Sequence, residues 1–274
     1  MDGRVHGIDV SHNNETVDWN AAAAAGIQFA FAKATQGTDF TDPMFSTNWP
    51  AMQAAGILRG AYHFLGFPGT DPTAWDANLQ AQIDHFLSVL GPLQPGDLPP
   101  VLDLEDGDNK SGWKVLMASN PSGALAIVTK IVTYTTAQLG GVTPILYTGS
   151  FWSGPTIDSG LGDPTPTAMP FSTYPLWLAQ YPQVHTPVPL PGPPGTTDLG
   201  EAASFAEYAA TLDGHTPRHM PQVWGGAAAP NWTIWQFTSF GKIPAISAQY
   251  LDLDVFNGSF ADLQNLCIPA PAAT

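Results

Sequence analysis

The sequence predicts an α/β fold built on a parallel sheet, either closed into a barrel or left open and doubly wound. Three observations carry this. Short apolar runs alternate with helical patterns through the first half, the rhythm breaks after Gly149, and the 274 residues fit one large domain, since a single α/β barrel routinely takes about 250.

The elements follow in order. Gly7-Ile-Asp-Val-Ser11 reads as a strand, Asp18 through Ala25 as a helix, and Ile27 to Lys33 as the next strand. Asp42-Pro43 signals a second helix start, because proline suits the first helical position and the acid before it can cap, and Gly56 closes that helix. A strand over Ile57 to Phe64 precedes a third helix opened by Asp71-Pro72. Its Trp75, Leu79, Ile83, Phe86, Leu87 and Leu90 form one apolar stripe before Gly91-Pro92 stops it. The strand Pro100 to Asp106 follows, then a helix from Asn120 to Leu139 with Asn120-Pro121 as cap and first turn, then the strand Thr143 to Thr148.

Beyond Gly149, apolar strands recur at Leu176 to Tyr181, Trp232 to Phe240 and Leu251 to Phe256, separated by proline- and glycine-rich chain. These later strands are expected to lack full crossover helices. The stretch from Gln183 to Pro230 reads as an insertion with a stiff proline-rich loop, His185 to Pro194, and a short helical patch, Leu199 to Leu212. It is too long for a simple connector and is placed along one side of a cleft. The tail from Ile268 is expected to fray.

Composition excludes several function classes. A formal charge of -15, from eight Lys plus Arg against 23 Asp plus Glu, repels phosphate backbones and anionic lipid. Neither nucleic acid nor a membrane is an expected partner, whereas a neutral glycan fits. No apolar stretch reaches the ~20 residues needed to cross a bilayer, so a soluble protein is expected. The chain enters its first strand without a basic and then apolar leader, so any signal peptide is expected to be absent or removed. The single cysteine, Cys267, has no partner for an intramolecular disulfide and reads as a packed thiol.

Strand ends are where barrels gather their chemistry. Asp103 and Glu105 stand two apart in Val101-Leu-Asp-Leu-Glu-Asp106, and a period of two puts both on one face, pointing into one pocket. Neighbouring carboxyls do not ionise independently, so one is expected to hold its proton to higher pH. An isolated D-x-E is more often a cap or a solvated strand end. Here Asp9 and Asp252 lie in two further apolar strands, and burying a carboxylate costs several kcal/mol unless it is paired or useful. Aromatic residues are the second signal. Of Tyr62, Phe64, Tyr147, Trp177, Tyr181, Trp235 and Phe237, most should fill the core. Tyr62, Tyr147, Trp177 and Tyr181 are placed nearest the strand ends, where a ring can stack on a sugar.

Ten ordered fragments spanning nearly the whole chain carry a family resemblance. They are Gly7-Ile-Asp-Val-Ser11, Phe29-Ala-Phe-Ala-Lys-Ala-Thr-Gln-Gly37, Asp42-Pro-Met-Phe45, Ala55-Gly-Ile57, Gly60-Ala-Tyr-His-Phe64, Val101-Leu-Asp-Leu-Glu105, Ile145-Leu-Tyr-Thr148, Leu176-Trp-Leu-Ala-Gln-Tyr181, Ile234-Trp-Gln-Phe237 and Leu251-Asp-Leu-Asp-Val-Phe256. Together they resemble glycoside hydrolase family 25, the Chalaropsis-type lysozymes. The resemblance implies a single irregular TIM-like barrel of five β-α units followed by three further strands, (β/α)5β3, over residues 1–266, with the insertion about 183–230 and a tail at 267–274. It also implies hydrolysis of the β-1,4 bond between N-acetylmuramic acid and N-acetylglucosamine in bacterial peptidoglycan, outside the cell, without metal or cofactor, by a monomer. Its acidic cluster falls on Asp9, Asp103, Glu105 and Asp252, with Tyr62, Tyr147, Trp177, Tyr181 and Gln236 as substrate-binding residues. The loop Ser11-His-Asn-Asn-Glu-Thr16 departs from it, lacking the Gln-Gly common after this strand.

On this reading Glu105 serves as general acid and then base. The substrate's own 2-acetamido oxygen attacks, Asp103 orients that group, and the outcome is retention. A covalent nucleophile, Asp252 or Asp103, is the competing route. Asp9 and Asp252 hold the acid's proton affinity and the sugar hydroxyls. Two alternatives remain: a zinc-dependent deacetylase, from His215 and His219 four apart but broken by Pro217, and a peptidoglycan-binding module without turnover.

Overall fold

The computed structural model describes residues 4–69, 71–106, 112–149, 171–181, 212, 216–217, 231–241, 243, 245–246 and 250–270. Nine strands among them form one sheet: β1 (Val5–Val10), β2 (Phe29–Gln36), β3 (Phe40–Thr41), β4 (Leu58–Phe64), β5 (Val101–Asp103), β6 (Ile145–Gly149), β7 (Leu176–Ala179), β8 (Ile234–Gly241) and β9 (Leu251–Phe256). β1 pairs in parallel with β2 and antiparallel with β9, so eight strands close into a ring and β3 hangs outside on β2. Closure eliminates the open doubly wound alternative. The ring strands run parallel from β1 through β8, while β9 is antiparallel to both its neighbours, which makes the barrel irregular.

Six α-helices are described: α1 (Trp19–Ala24), α2 (Phe45–Ala54), α3 (Trp75–Leu90), α4 (Gly112–Ser119), α5 (Pro121–Gln138) and α6 (Phe260–Leu266). Local chemistry sets their starts. The Asp18 carboxylate accepts from Ala21 N at 3.0 Å, and Asn120 Oδ1 from Gly123 N at 3.0 Å with Pro121 in the first turn, the predicted cap. The predicted start at Asp42-Pro43 is two residues early. Asp42 Oδ1 is taken by Met44 N at 2.9 Å, and the helix itself begins at Phe45. Two helices escaped the sequence reading, α4 directly before the Asn120 cap and α6 near the C-terminus. The segment after β6, where a fifth crossover would run, and the 183–230 stretch fall almost entirely outside the described residues. The proline-rich loop at 185–194 and the helical patch at 199–211 lie outside them too.

Strand alternation divides the core in two. On β2, Ala30, Ala32 and Ala34 face the helices, while Phe29 and Phe31 fill the barrel with Val5, Val101, Ile145, Ile234 and Phe256. Those rings fit because Gly7 and Gly60 lie opposite. A Cβ on Gly7 would sit 2.2 Å from the Phe29 ring, and one on Gly60 2.1 Å from Phe31. Leu263 and Cys267, on and just past α6, close the foot of the interior. Cys267 is thus the packed thiol expected, pushed up to about 11 by burial. The chain is still pinned at Ile268, where fraying was expected to begin: Ile268 N donates to Asp97 O at 2.8 Å and its carbonyl accepts from Gly96 N at 2.9 Å.

Candidate active site

At the opposite, C-terminal end of the parallel strands the interior turns polar. A cavity of about 260 Å3 opens there, lined by all nine residues singled out from the sequence: Asp9, Asp103, Glu105, Asp252, Tyr62, Tyr147, Trp177, Tyr181 and Gln236. A larger groove of about 520 Å3 lies between α3 and α5, but its walls are mostly apolar and its Asp76 is already paired with Lys130. Chemistry, not size, distinguishes the two.

The four acids come from three strands of the ring, β1, β5 with the residues just after it, and β9. Asp9 and Asp252 are register partners across β1 and β9, and Asp103 sits level with Phe64 on β4 and Tyr147 on β6. The strand predicted to reach Asp106 ends at Asp103, so Glu105 lies just past it. It nonetheless faces the same cavity, half-buried where Asp103 is buried.

Hydrogen bonds organise one wall. Tyr147 Oη and Tyr181 Oη donate to Gln236 Oε1 at 2.9 and 3.0 Å, and Gln236 Nε2 donates to Asp9 Oδ2 at 2.8 Å. The amide orientation is thereby fixed, since the two phenols need an acceptor and the carboxylate a donor. Trp177 is the floor of the cavity. Its ring lies 4.7 Å from Phe31 and 4.9 Å from Tyr147, and its Nε1 donates to Asp254 Oδ1 at 2.8 Å, which leaves little face for a sugar. Tyr181, 38% exposed, and half-buried Tyr62 offer more.

Electrostatics follow from burial. Asp9 is raised to about 7 by loss of water, against the hydrogen bonds from Gln236 and Asp254. Burial also pushes Asp103 well above the usual carboxylate range, helped by the neighbouring charge of Glu105 and opposed by Lys33. Asp252 is raised by burial and then by Asp9 and Glu105. One oxygen, Asp103 Oδ1, is buried with no hydrogen-bond partner. His63, next to Tyr62 in sequence, faces away. It is held between Thr35 and Gln82, and burial lowers it to about 3, so it stays neutral.

Sequence reasoning did not single out Lys33, Ser11 and Asn13, which also line the cavity, or Asp254 beneath it. For Lys33 the signal was present. Period two from Phe29 and Phe31 turns it inward, where Nζ bonds Gln36 Oε1 at 2.7 Å and lies 4.8 Å over the Phe64 ring. The histidines weighed for zinc, His215 and His219, lie outside the described residues.

Comparison with known proteins identifies the family and agrees with the barrel fold. Residues 8–190 match the sequence model of Glycosyl hydrolases family 25. The chain is 30% identical over 265 residues to the uncharacterized protein YegX of Escherichia coli K12, covering 95% of this chain and 72% of that one. It is 29% identical over 270 residues to lysozyme M1 of Streptomyces globisporus, covering 94% and 70%. Among solved structures, the bacterial lysozyme from Streptomyces coelicolor superposes with a TM-score of 0.66 at 25% identity, covering 96% of each chain. The chain is a glycoside hydrolase and belongs to glycosyl hydrolases family 25.

Proposed function

We propose that this chain is an N-acetylmuramidase. It would cleave the β-1,4 bond between N-acetylmuramic acid and N-acetylglucosamine in peptidoglycan, at the cell wall, with Glu105 as the proton donor. The observation that carries the reading is the unpartnered Asp103 Oδ1 beside Glu105 in a cavity walled by phenols and an amide. An unmet buried oxygen costs about 1–3 kcal/mol, which a substrate N–H at that point would recover.

Before substrate binds, burial and the Glu105 charge favour the proton on Asp103. An acetamido N–H donating to Asp103 favours its ionised form and shifts that proton to Glu105. Glu105 then protonates the glycosidic oxygen while the acetamido oxygen attacks the anomeric carbon. The leaving sugar departs with the proton. Water, deprotonated by Glu105, opens the cyclic intermediate with net retention. Asp9 and Asp252 hold the surrounding field and the sugar hydroxyls, Gln236 fixes Asp9, and Tyr62 and Tyr181 supply the sugar-facing surface. The names of lysozyme M1 and of the Streptomyces coelicolor lysozyme point to the same substrate.

Digestion of purified peptidoglycan, followed by mass spectrometry of the new reducing ends, tests the reading. Muramic acid is expected there, and glucosamine would overturn it. Glu105→Gln should lower turnover about 10²- to 10⁴-fold while the protein still folds cooperatively. A covalent glycosyl-enzyme trapped on Asp252 or Asp103 would replace the acetamido route.

A further inference from the structure

Beneath the cavity Asp254 is fully buried, and the mechanism above gives it no task. Its neighbours restrict what it can be. An indole N–H only donates, so Asp254 Oδ1, 2.8 Å from Trp177 Nε1, is an acceptor. As a carboxylate oxygen, Oδ2 would be left buried with nothing donating to it. On β1 the residue opposite is Gly7, which has no side chain, and on β8 it is Gln236, whose amide nitrogen is committed to Asp9. The titratable groups that bear on Asp254 are Asp9, on β1, and Asp252, on β9, both acids. The Asp9 and Asp254 carboxyls touch each other.

We propose that Asp254 is a neutral carboxylic acid whose Oδ2–H donates to Asp9, making it a positioning residue for the acid cluster. Asp9 then receives two donors, Gln236 Nε2 from one side and Asp254 from the other, and each donor is anchored in turn. Two phenols fix the Gln236 amide, and the Trp177 indole fixes the Asp254 oxygen that accepts. The arrangement satisfies Oδ2 and lets Asp9 be the charged member of the pair, nearer the cavity. Proton affinities agree in direction. Burial and the charges of Asp9 and Asp252 raise Asp254 well above the usual range, and the mutual contact raises Asp254 while lowering Asp9. It also gives Trp177 a second use, as the anchor of this acid.

The consequence for turnover rests on the glycosidase reading, whereas the protonation state does not. Asparagine reproduces a neutral acid at this place, its oxygen accepting from Trp177 and its amide N–H donating to Asp9. Asp254→Leu should therefore reduce kcat/KM about 10- to 100-fold and move the acidic limb of the pH profile upward, because Asp9 loses a donor to its charged form. Asp254→Asn should restore activity to within about threefold of the parent, with the limb back in place. Carboxyl-carbon NMR of aspartate-labelled protein at pH 7 gives an independent readout. The carboxyl signal assigned to Asp254 itself should be that of a protonated acid in the parent, and Asp254→Asn should lose that one signal while Asp103 keeps its own. Loss of activity in Asp254→Asn as deep as in Glu105→Gln, or absence of the protonated signal, would overturn the proposal. So would full activity in Asp254→Leu. If the parent does not cleave peptidoglycan, the glycosidase reading fails while the NMR experiment still decides the state of Asp254. The same holds if either variant folds poorly, since the parent's signal suffices.

Discussion

Asp97 and Asp103 flank the same short stretch of chain, one at the foot of the barrel and one at its mouth, and both are almost completely buried, at 2% and 4% exposure. At the foot everything is settled. Asp97 accepts from Arg59 Nε at 2.7 Å and from Gln94 N at 2.7 Å, while Arg59 bonds Trp49 O at 3.1 Å and stacks 4.1 Å over its ring. At the mouth Asp103 keeps one oxygen without a partner and faces Glu105, Asp9 and Asp252, with Lys33 as the opposing charge. Equal burial thus serves opposite ends. The foot acid belongs to stability, and the mouth acid stores an unmet demand that a ligand can meet.

The largest stability effect is expected at the foot. Removing the carboxylate in Asp97→Ala leaves a buried guanidinium unpaired and should cost about 3–5 kcal/mol, read as a lower denaturation midpoint. Turnover per folded molecule should hold, since no cavity residue touches the pair. A variant that kept its stability but lost turnover would break the contrast between foot and mouth.

The mouth should respond with the opposite sign. Because the folded state raises the Asp103 pKa above its ordinary 3.8, the folded protein binds that proton more tightly than the unfolded chain. Stability is therefore lost as pH rises past about 4 towards the raised value. Asp103→Asn removes that penalty. It should gain about 0.5–2 kcal/mol at pH 7, with each kcal/mol worth about 2–4 °C in Tm, and gain nothing below pH 4. The same variant should lose turnover. Melting curves at pH 3.5 and pH 7 sharpen the comparison, and an equal Tm shift at both would show that packing, not charge, is the cause.

How much of this was written in the sequence depends on how local each cause is. The apolar runs and the acids within them were legible, because period two follows directly from the pleat. So was the Asn120-Pro121 cap. The early end of β5 was not, since Glu105 turns towards the cavity from outside the ladder, and an apolar run does not reveal where pairing stops. Asp254 illustrates the limit best. It shares a face with Asp252 by the same rule that joined Asp103 to Glu105, but its meaning comes from Trp177, Gln236 and Gly7, brought to it by three other strands. Trp177 shows the reverse. As a residue type it suits a sugar platform, but neighbours distant in sequence cover its ring and take up its N–H. Asp42 binds Met44 N without capping the helix, which starts at Phe45, two residues after Pro43, a shift of the size that makes helix boundaries the least readable feature.

The smallest effect is expected from a third kind of acid, exposed and paired. Asp76 on α3 meets Lys130 on α5 with Nζ 2.8 Å from Oδ2, the side chains being 55% and 64% exposed. Water already solvates both charges, and ordering two long side chains offsets what attraction remains. Lys130→Ala should therefore change stability by no more than about 1 kcal/mol, and the difference should shrink further in about 1 M salt, where the screening length falls to about 3 Å. Asp97→Ala, by contrast, should stay costly in the same salt, because its charges are out of reach of the ions. A Lys130→Ala cost that equalled the Asp97→Ala cost, or that survived high salt, would mean that bridging α3 to α5 stabilises the barrel more than the buried pair at its foot, and burial would no longer rank these acids.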